Sequence, residues 1–131
     1  MIKGVGTDLV EKKRVNKLFQ KYGDRFVNRI LTKLEKEEFE KRKDNLKRVS
    51  FLSNNFACKE AVVKVLDTGA SLFVSLRNIE VLRQKNGSPY LNLYSKANER
   101  ALEIGCKNFK LSISDTDKYS LALVIGEGEW E

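Results

Sequence analysis

The chain has no histidine, one proline, one tryptophan, one methionine and two cysteines in 131 residues. Without an imidazole, every Ser-His or Cys-His nucleophilic scheme is excluded. A zinc site is excluded with it, because Cys58 and Cys106 stand alone and without ligand spacing. A metal here must be held by hard carboxylates, which points to Mg²⁺ or a similar ion. No apolar run approaches a membrane span, and the first residues do not read as a signal peptide, so the expected location is the cytoplasm. The length suits one domain over residues 1–131, with room for a real core.

Charge is abundant and unevenly placed. The net charge is +7, and residues 11–48 hold 14 Lys/Arg against 7 Asp/Glu, while the remainder holds 11 of each. The whole excess lies in one early segment. A basic surface implies an acidic partner: nucleic acid, a membrane surface or an acidic protein. The plainer reading is a solvated helical face.

Met1–Val10 reads as a strand, and Gly4 and Gly6 within it suggest a bulge or the close approach of another backbone. No third glycine follows at dinucleotide-binding spacing. Asp8 either caps the next helix or holds a metal. Residues 11–22 fit an amphipathic helix through Val15, Leu18, Phe19 and Tyr22, with Lys12, Lys13, Arg14, Lys17 and Lys21 on its outer face. Gly23 ends it, and Asp24 is placed to cap the next turn. Thr32-Lys33-Leu34-Glu35 is a capping box opening a further helix.

From about Asp44 a long helix runs to a stop at Gly69. Phe51, Cys58, Val62, Val65 and Leu66 share its broad apolar face, so it belongs inside the domain. Glu60 and Lys64 lie one turn apart in the narrow polar sector left over. They form either an i,i+4 ion pair or a site for chemistry. Strands are expected at 72–83 and 90–94 around the Asn86-Gly87-Ser88-Pro89 turn. A helix capped by Ser95 and ended by Gly105 follows, then strands at 109–114 and 119–125 and a frayed tail. The fold class is α+β, ordered β-α(2-3)-β2-α-β2, with a mostly antiparallel sheet.

Three blocks together resemble the bacterial holo-acyl-carrier-protein synthases, the small phosphopantetheinyl transferases. They are Gly4-Val5-Gly6-Thr7-Asp8-Leu9-Val10-Glu11 with Arg14, Phe26 to Glu35, and Phe56-Ala57-Cys58-Lys59-Glu60-Ala61-Val62-Val63-Lys64 with Thr68-Gly69. Gly87-Ser88-Pro89 and Leu111-Ser112-Ile113-Ser114 match later motifs. The likeness spans nearly the whole chain.

The resemblance implies the 4′-phosphopantetheinyl transferase-like fold and transfer of 4′-phosphopantetheine from coenzyme A to a serine of apo acyl carrier protein. It implies Asp8 and Glu60 as Mg²⁺ ligands, and Asp8, Glu60 and Lys64 as the catalytic set. Lys64, Gly87, Pro89, Ser112 and Asp115 would contact coenzyme A. Arg14, Lys17, Lys21 and Arg25 would face the acidic carrier, and the assembly would be a homotrimer with sites between subunits. Arg29 and Glu35 are either structural or in contact with substrate.

Two departures stand out. Asp115 occupies the place of a usual histidine near the coenzyme A site, and Asn55 the place of a usual arginine. An aspartate reverses the local charge unless a lysine pairs with it, and Lys43, Lys47 or Arg48 would have to make up the lost cation. Two other readings stay open. One is a nucleic-acid-binding module using residues 11–48. The other is a degenerate transferase that binds without turnover.

Overall fold

The computed structural model describes residues 1–66 and 74–130. A long strand β1 (Ile2–Glu11) leads into four helices, α1 (Lys12–Tyr22), α2 (Asp24–Ile30), α3 (Lys33–Lys41) and α4 (Asn45–Leu66). A hairpin of β2 (Ile79–Arg83) and β3 (Pro89–Leu93) follows, then α5 (Ser95–Glu103), β4 (Asn108–Asp115) and β5 (Tyr119–Glu127). Both sheets are antiparallel: a three-stranded sheet in the order β1-β5-β4, and the β2-β3 pair. The α+β order is the expected one with an extra helix. Among the described residues no helix is long and apolar enough to cross a membrane.

Several local expectations are corrected. Residues 24–30 form a helix of their own, whose N-cap is Gly23 and not Asp24, and no side chain caps it. Gly23, at φ +54°, ends α1 with its N–H on the Phe19 carbonyl and starts α2 by accepting from Phe26 and Val27. Ser95 is likewise no cap but the first residue of α5, at φ +50°. Residues 76–78 form a 3-10 turn, so β2 starts only at Ile79. The tail is held as far as Gly128, whose N–H and C=O both bond Met1. The helix stop at Gly69 and the strand start at Leu72 lie outside the described residues. The Thr32–Glu35 capping box forms in both directions.

Helix α4 is the axis of the domain. Val49, Leu52, Ala57, Cys58, Ala61, Val62, Val65 and Leu66 are all buried, and the helix packs on both β1 and β5. Close packing on β1 depends on the two glycines. A Cβ at Gly6 would lie 2.0 Å from the Ala61 carbonyl oxygen, and one at Gly4 2.8 Å from that of Val65. The strand therefore touches the helix backbone to backbone, and a register irregularity falls between Ile2 and Gly4.

A buried polar network ties the helices to β2. Lys59 and Glu35 are both fully buried and paired at 2.6 Å. Lys59 also donates to the carbonyls of Ile30 and Leu76. Glu35 accepts from Thr32 N–H, Asn55 Nδ2 and Val81 N–H. Burial pushes the Lys59 ammonium down, and the Glu35 carboxylate opposes that. Breaking such a pair from one side costs about 3–5 kcal/mol.

Glu80, 3% exposed, extends the network by accepting from Thr32, Asn92 and Tyr94. Burial alone would raise its carboxyl, but these three bonds and the charge of Lys59 outweigh it and hold the group below the usual range. Such a group stabilises the fold above the unfolded-state pKa, and that stability is lost as pH falls through the lower folded value. The Tm of wild type is therefore expected to fall as pH drops below about 4. In Glu80→Gln the Tm should start lower at pH 7, by about 1–3 kcal/mol of stability, and the acid-side fall should be flatter. Thermal melts from pH 7 to pH 3 check this; parallel profiles would remove Glu80 from the account.

Candidate active site

The β1–α4 contact determines which side chains meet. With no side chain at Gly6, Asp8 two residues on comes beside the polar sector of α4. Asp8 and Glu60 line one cavity of about 500 Å³, together with Glu11, Arg14, Leu18, Phe26 and Phe56. Lys64 reaches across from the helix: its Nζ donates to the Thr7 carbonyl at 2.7 Å and to Asp8 Oδ1 at 3.3 Å. The i,i+4 pair with Glu60 is not formed. Lys64 pairs with Asp8 and remains 56% exposed at its side chain.

Glu60 has no hydrogen bond or ion pair among the described residues. Burial raises its carboxyl, the neighbouring Asp8 carboxylate raises it further, and Lys64 partly offsets both. Two carboxylates close enough to repel, one without a partner, suit a hard divalent cation that takes one or two carboxylates and completes its shell with water and substrate phosphate. Among the described residues no group of three or more His, Cys, Asp or Glu could hold a metal by itself. A phosphate-bearing substrate would have to contribute the remaining ligands.

A second cavity, about 480 Å³, adjoins the first through shared Leu18, Phe26 and Phe56. Ile30, Tyr22 and Leu76 also line it, with Arg25 and Arg29 among the polar groups. Arg14, Lys17 and Lys21 are exposed on α1, and Arg14 lines the Asp8 cavity. Arg29 makes no ion pair among the described residues, whereas Glu35 is wholly structural.

A third cavity, about 350 Å³, is a cationic groove of Arg42, Lys47 and Arg83 with Ser50, Asn54, Leu46 and Phe51. It shares no lining residue with the Asp8 cavity. Of the three expected compensating cations only Lys47 lines it. Arg48 is engaged with the Arg42 carbonyl and the Phe39 ring. Asn55 does not face a site at all: it is fully buried, donating to Glu35 and accepting from Arg83. Gly87, Pro89 and Ser112 do not line the Asp8 cavity.

Asp115 is paired. Lys12 Nζ donates to its Oδ2 at 2.7 Å. Lys12 is therefore buried rather than on the outer face of α1, a role that its sequence reading missed. A signal was present, since Lys12 falls three and seven residues before Val15 and Phe19 on the apolar stripe. Lys59 was missed for the same reason, as a lysine among apolar neighbours.

A model of the 4′-phosphopantetheinyl transferase superfamily matches residues 4–124. The chain belongs to this superfamily. Among its relatives, a holo-[acyl-carrier-protein] synthase of Hamiltonella defensa is 42% identical over 127 residues, covering 97% of this chain and 98% of that protein. The crystal structure of the holo-[acyl-carrier-protein] synthase of Neisseria meningitidis superposes with a TM-score of 0.86 at 37% identity, covering 97% and 99% of the two chains. The Bacillus anthracis synthase, solved in complex with coenzyme A (3′,5′-ADP), superposes at 0.81 with 31% identity over 98% and 99%.

A superfamily member built this way cannot spare Gly6. Gly6→Ala puts a methyl 2.0 Å from a helix carbonyl, so β1 must shift. Gly6→Ala should lower the Tm by several degrees and turnover by about tenfold or more, since an ångström of misplacement is costly at a reacting centre. Gly87→Ala meets no neighbouring atom but takes a strained φ of +90°, so it should lower the Tm through local backbone strain, by less than Gly6→Ala. Melting curves on both variants and a turnover assay on Gly6→Ala check this.

Proposed function

We propose that the chain transfers the 4′-phosphopantetheine arm of coenzyme A to a serine of an apo acyl carrier protein, releasing adenosine 3′,5′-bisphosphate. The observation carrying this is the meeting of Asp8, Glu60 and Lys64 at one cavity mouth in a chain of this superfamily. Displacement at the β-phosphate develops negative charge on its oxygens. Lys64, on an exposed stem, supplies an ammonium that can pass from Asp8 to a phosphate oxygen. Asp8 and Glu60 would hold Mg²⁺, which supplies charge neutralisation at the pyrophosphate when bound. Glu60 or a water beside it accepts the serine proton.

The carrier lies on the adjoining cavity. Its apolar floor of Leu18, Phe26 and Phe56 runs directly into the Asp8 cavity, and Arg14, Lys17, Lys21 and Arg25 supply positive charge around it. An acidic protein with a few apolar side chains fits this surface better than a nucleic acid. Phe19 and Phe39 stack edge to face inside the domain and so offer no base-stacking platform. The reading places the enzyme in the cytoplasm, supporting fatty acid biosynthesis.

The nucleotide end of coenzyme A is assigned to the cationic groove of Arg42, Lys47 and Arg83. That groove and the Asp8 cavity share no lining residue, but a further cavity of about 430 Å³ adjoins both, through Leu46 and Ser50 on one side and Glu11 and Tyr119 on the other. For a site shared between copies, the outer face of the three-stranded sheet supplies the surface. Val5, Leu9, Leu121 and Leu123 are exposed there, with Leu9 opposite Leu121 and Val5 opposite Ile125. Three copies closing on these faces form the homotrimer, and Gly87, Pro89 and Ser112 would then reach coenzyme A across the interface.

Intact-mass analysis of apo carrier protein with coenzyme A should show the phosphopantetheine gain with Mg²⁺ and none with chelator. No gain at high enzyme would overturn the reading. Glu60→Gln and Lys64→Ala should each lower turnover by about a hundredfold with the assembly intact. Full activity in both removes their roles. Leu9→Glu with Leu121→Glu should convert the trimer to monomer by light scattering; an unchanged mass would show that this face is not the interface.

A further inference from the structure

Lys12 is buried at the junction of β1 and α1, and nothing in the reaction above uses it. Its Nζ donates to three acceptors: Asp115 Oδ2 at 2.7 Å, the Thr116 carbonyl at 2.6 Å and Ser50 Oγ at 3.0 Å. Its backbone N–H donates to the Lys118 carbonyl at 2.9 Å, so residue 12 clamps the β4–β5 turn from both sides. Ser50 and Asn54, one turn apart on α4, line the cationic groove. Ser120, the register partner of Asp115, donates to Asn54 Oδ1 at 2.5 Å. Asp115 is thus tied to the rim of the groove twice, through Lys12 to Ser50 and along the strand pair through Ser120 to Asn54.

A carboxylate in that place opposes the use of the groove. The Asp115 side chain is 39% exposed, and a single lysine ammonium bridges its Oδ2 to Ser50 Oγ on the rim of the groove. Lys12, with only 10% of its side chain exposed, is poorly screened by solvent and lies in direct contact. We propose that Lys12 is a positioning residue that neutralises Asp115 beside the rim of the groove, so that the groove accepts the phosphates of coenzyme A. This rests on the coenzyme A reading above. Asp115 is accommodated by a lysine 103 positions away in sequence.

Calorimetry with coenzyme A and steady-state kinetics on the full-length protein test this. Lys12→Met should raise both the Kd and the KM for coenzyme A about fivefold or more while kcat stays within about twofold, because only the ground-state charge changes. Adding Asp115→Asn to Lys12→Met should restore affinity, since the repelling charge is gone. Asp115→Asn alone should tighten binding, leaving an unneutralised ammonium beside the groove. A merely structural pair predicts the reverse: Asp115→Asn weakens binding, and the double variant is no better than Lys12→Met. Either result overturns the role of Lys12. Should Lys12→Met fail to fold, the sign of the Asp115→Asn effect decides. Wild-type protein that neither binds coenzyme A nor modifies the carrier overturns the transferase reading itself. Wild-type turnover with unaltered affinities in the variants overturns only this inference.

Discussion

The ion pair of Lys59 and Glu35 is the constraint on which the site depends. Both groups are fully buried, where removing either partner leaves the other without its ion pair. Their bonds join the end of α2 at Ile30, the start of α3 at Thr32, the 3-10 turn at Leu76 and β2 at Val81. All of these fix one residue of α4. A helix anchored at residue 59 has its neighbour at residue 60 pointing about 100° away round its girth. The anchoring of Lys59 therefore fixes the direction in which Glu60 points. A purely apolar contact would hold the helix as tightly but would not pick out one rotation as sharply, because the apolar face of α4 is broad.

A second constraint acts at right angles to the first. The glycines of β1 allow strand and helix to approach at backbone distance, and this brings Asp8 to Glu60 and lets Lys64 reach the Thr7 carbonyl. Rotation of the helix is set by buried charge, and its distance from the strand by absent side chains. Two like charges can then sit together, because a cationic side chain lies across them and an ion of opposite charge suits the gap.

Much of this was legible in the sequence, for identifiable reasons. The long buried helix, the two hairpins and the Thr32 capping box follow from periodicity and turn chemistry, which act over a few residues. Gly4 and Gly6 announced a close approach without saying to what. The lysines were harder. Lys12 and Lys59 carry the composition of a surface and lie on apolar stripes, and their partners are 103 and 24 residues away. No local pattern locates such a partner. For the same reason Asn55 read as a lost cation, whereas it is a buried bridge between Glu35 and Arg83. The helix at 24–30 was missed because seven residues, started by a glycine and no side-chain cap, show little periodicity.

The positive excess of residues 11–48 proves not to be one feature. Arg14 and Arg25 line the two adjoining cavities at the carboxylates, and Lys17 and Lys21 are exposed on α1. Arg42 and Lys47 face a separate groove around the start of α4. Lys12 belongs to neither and is consumed inside by Asp115. On the proposed reading, one basic segment would serve an acidic protein partner and a phosphate-bearing small molecule, while its Lys12 serves the fold. Chemistry between a carrier and coenzyme A needs both ligands at Asp8 and Glu60. On the proposed reading a second copy would stand at the apolar sheet face beside Asp8, where Leu9 and Leu121 are exposed opposite each other.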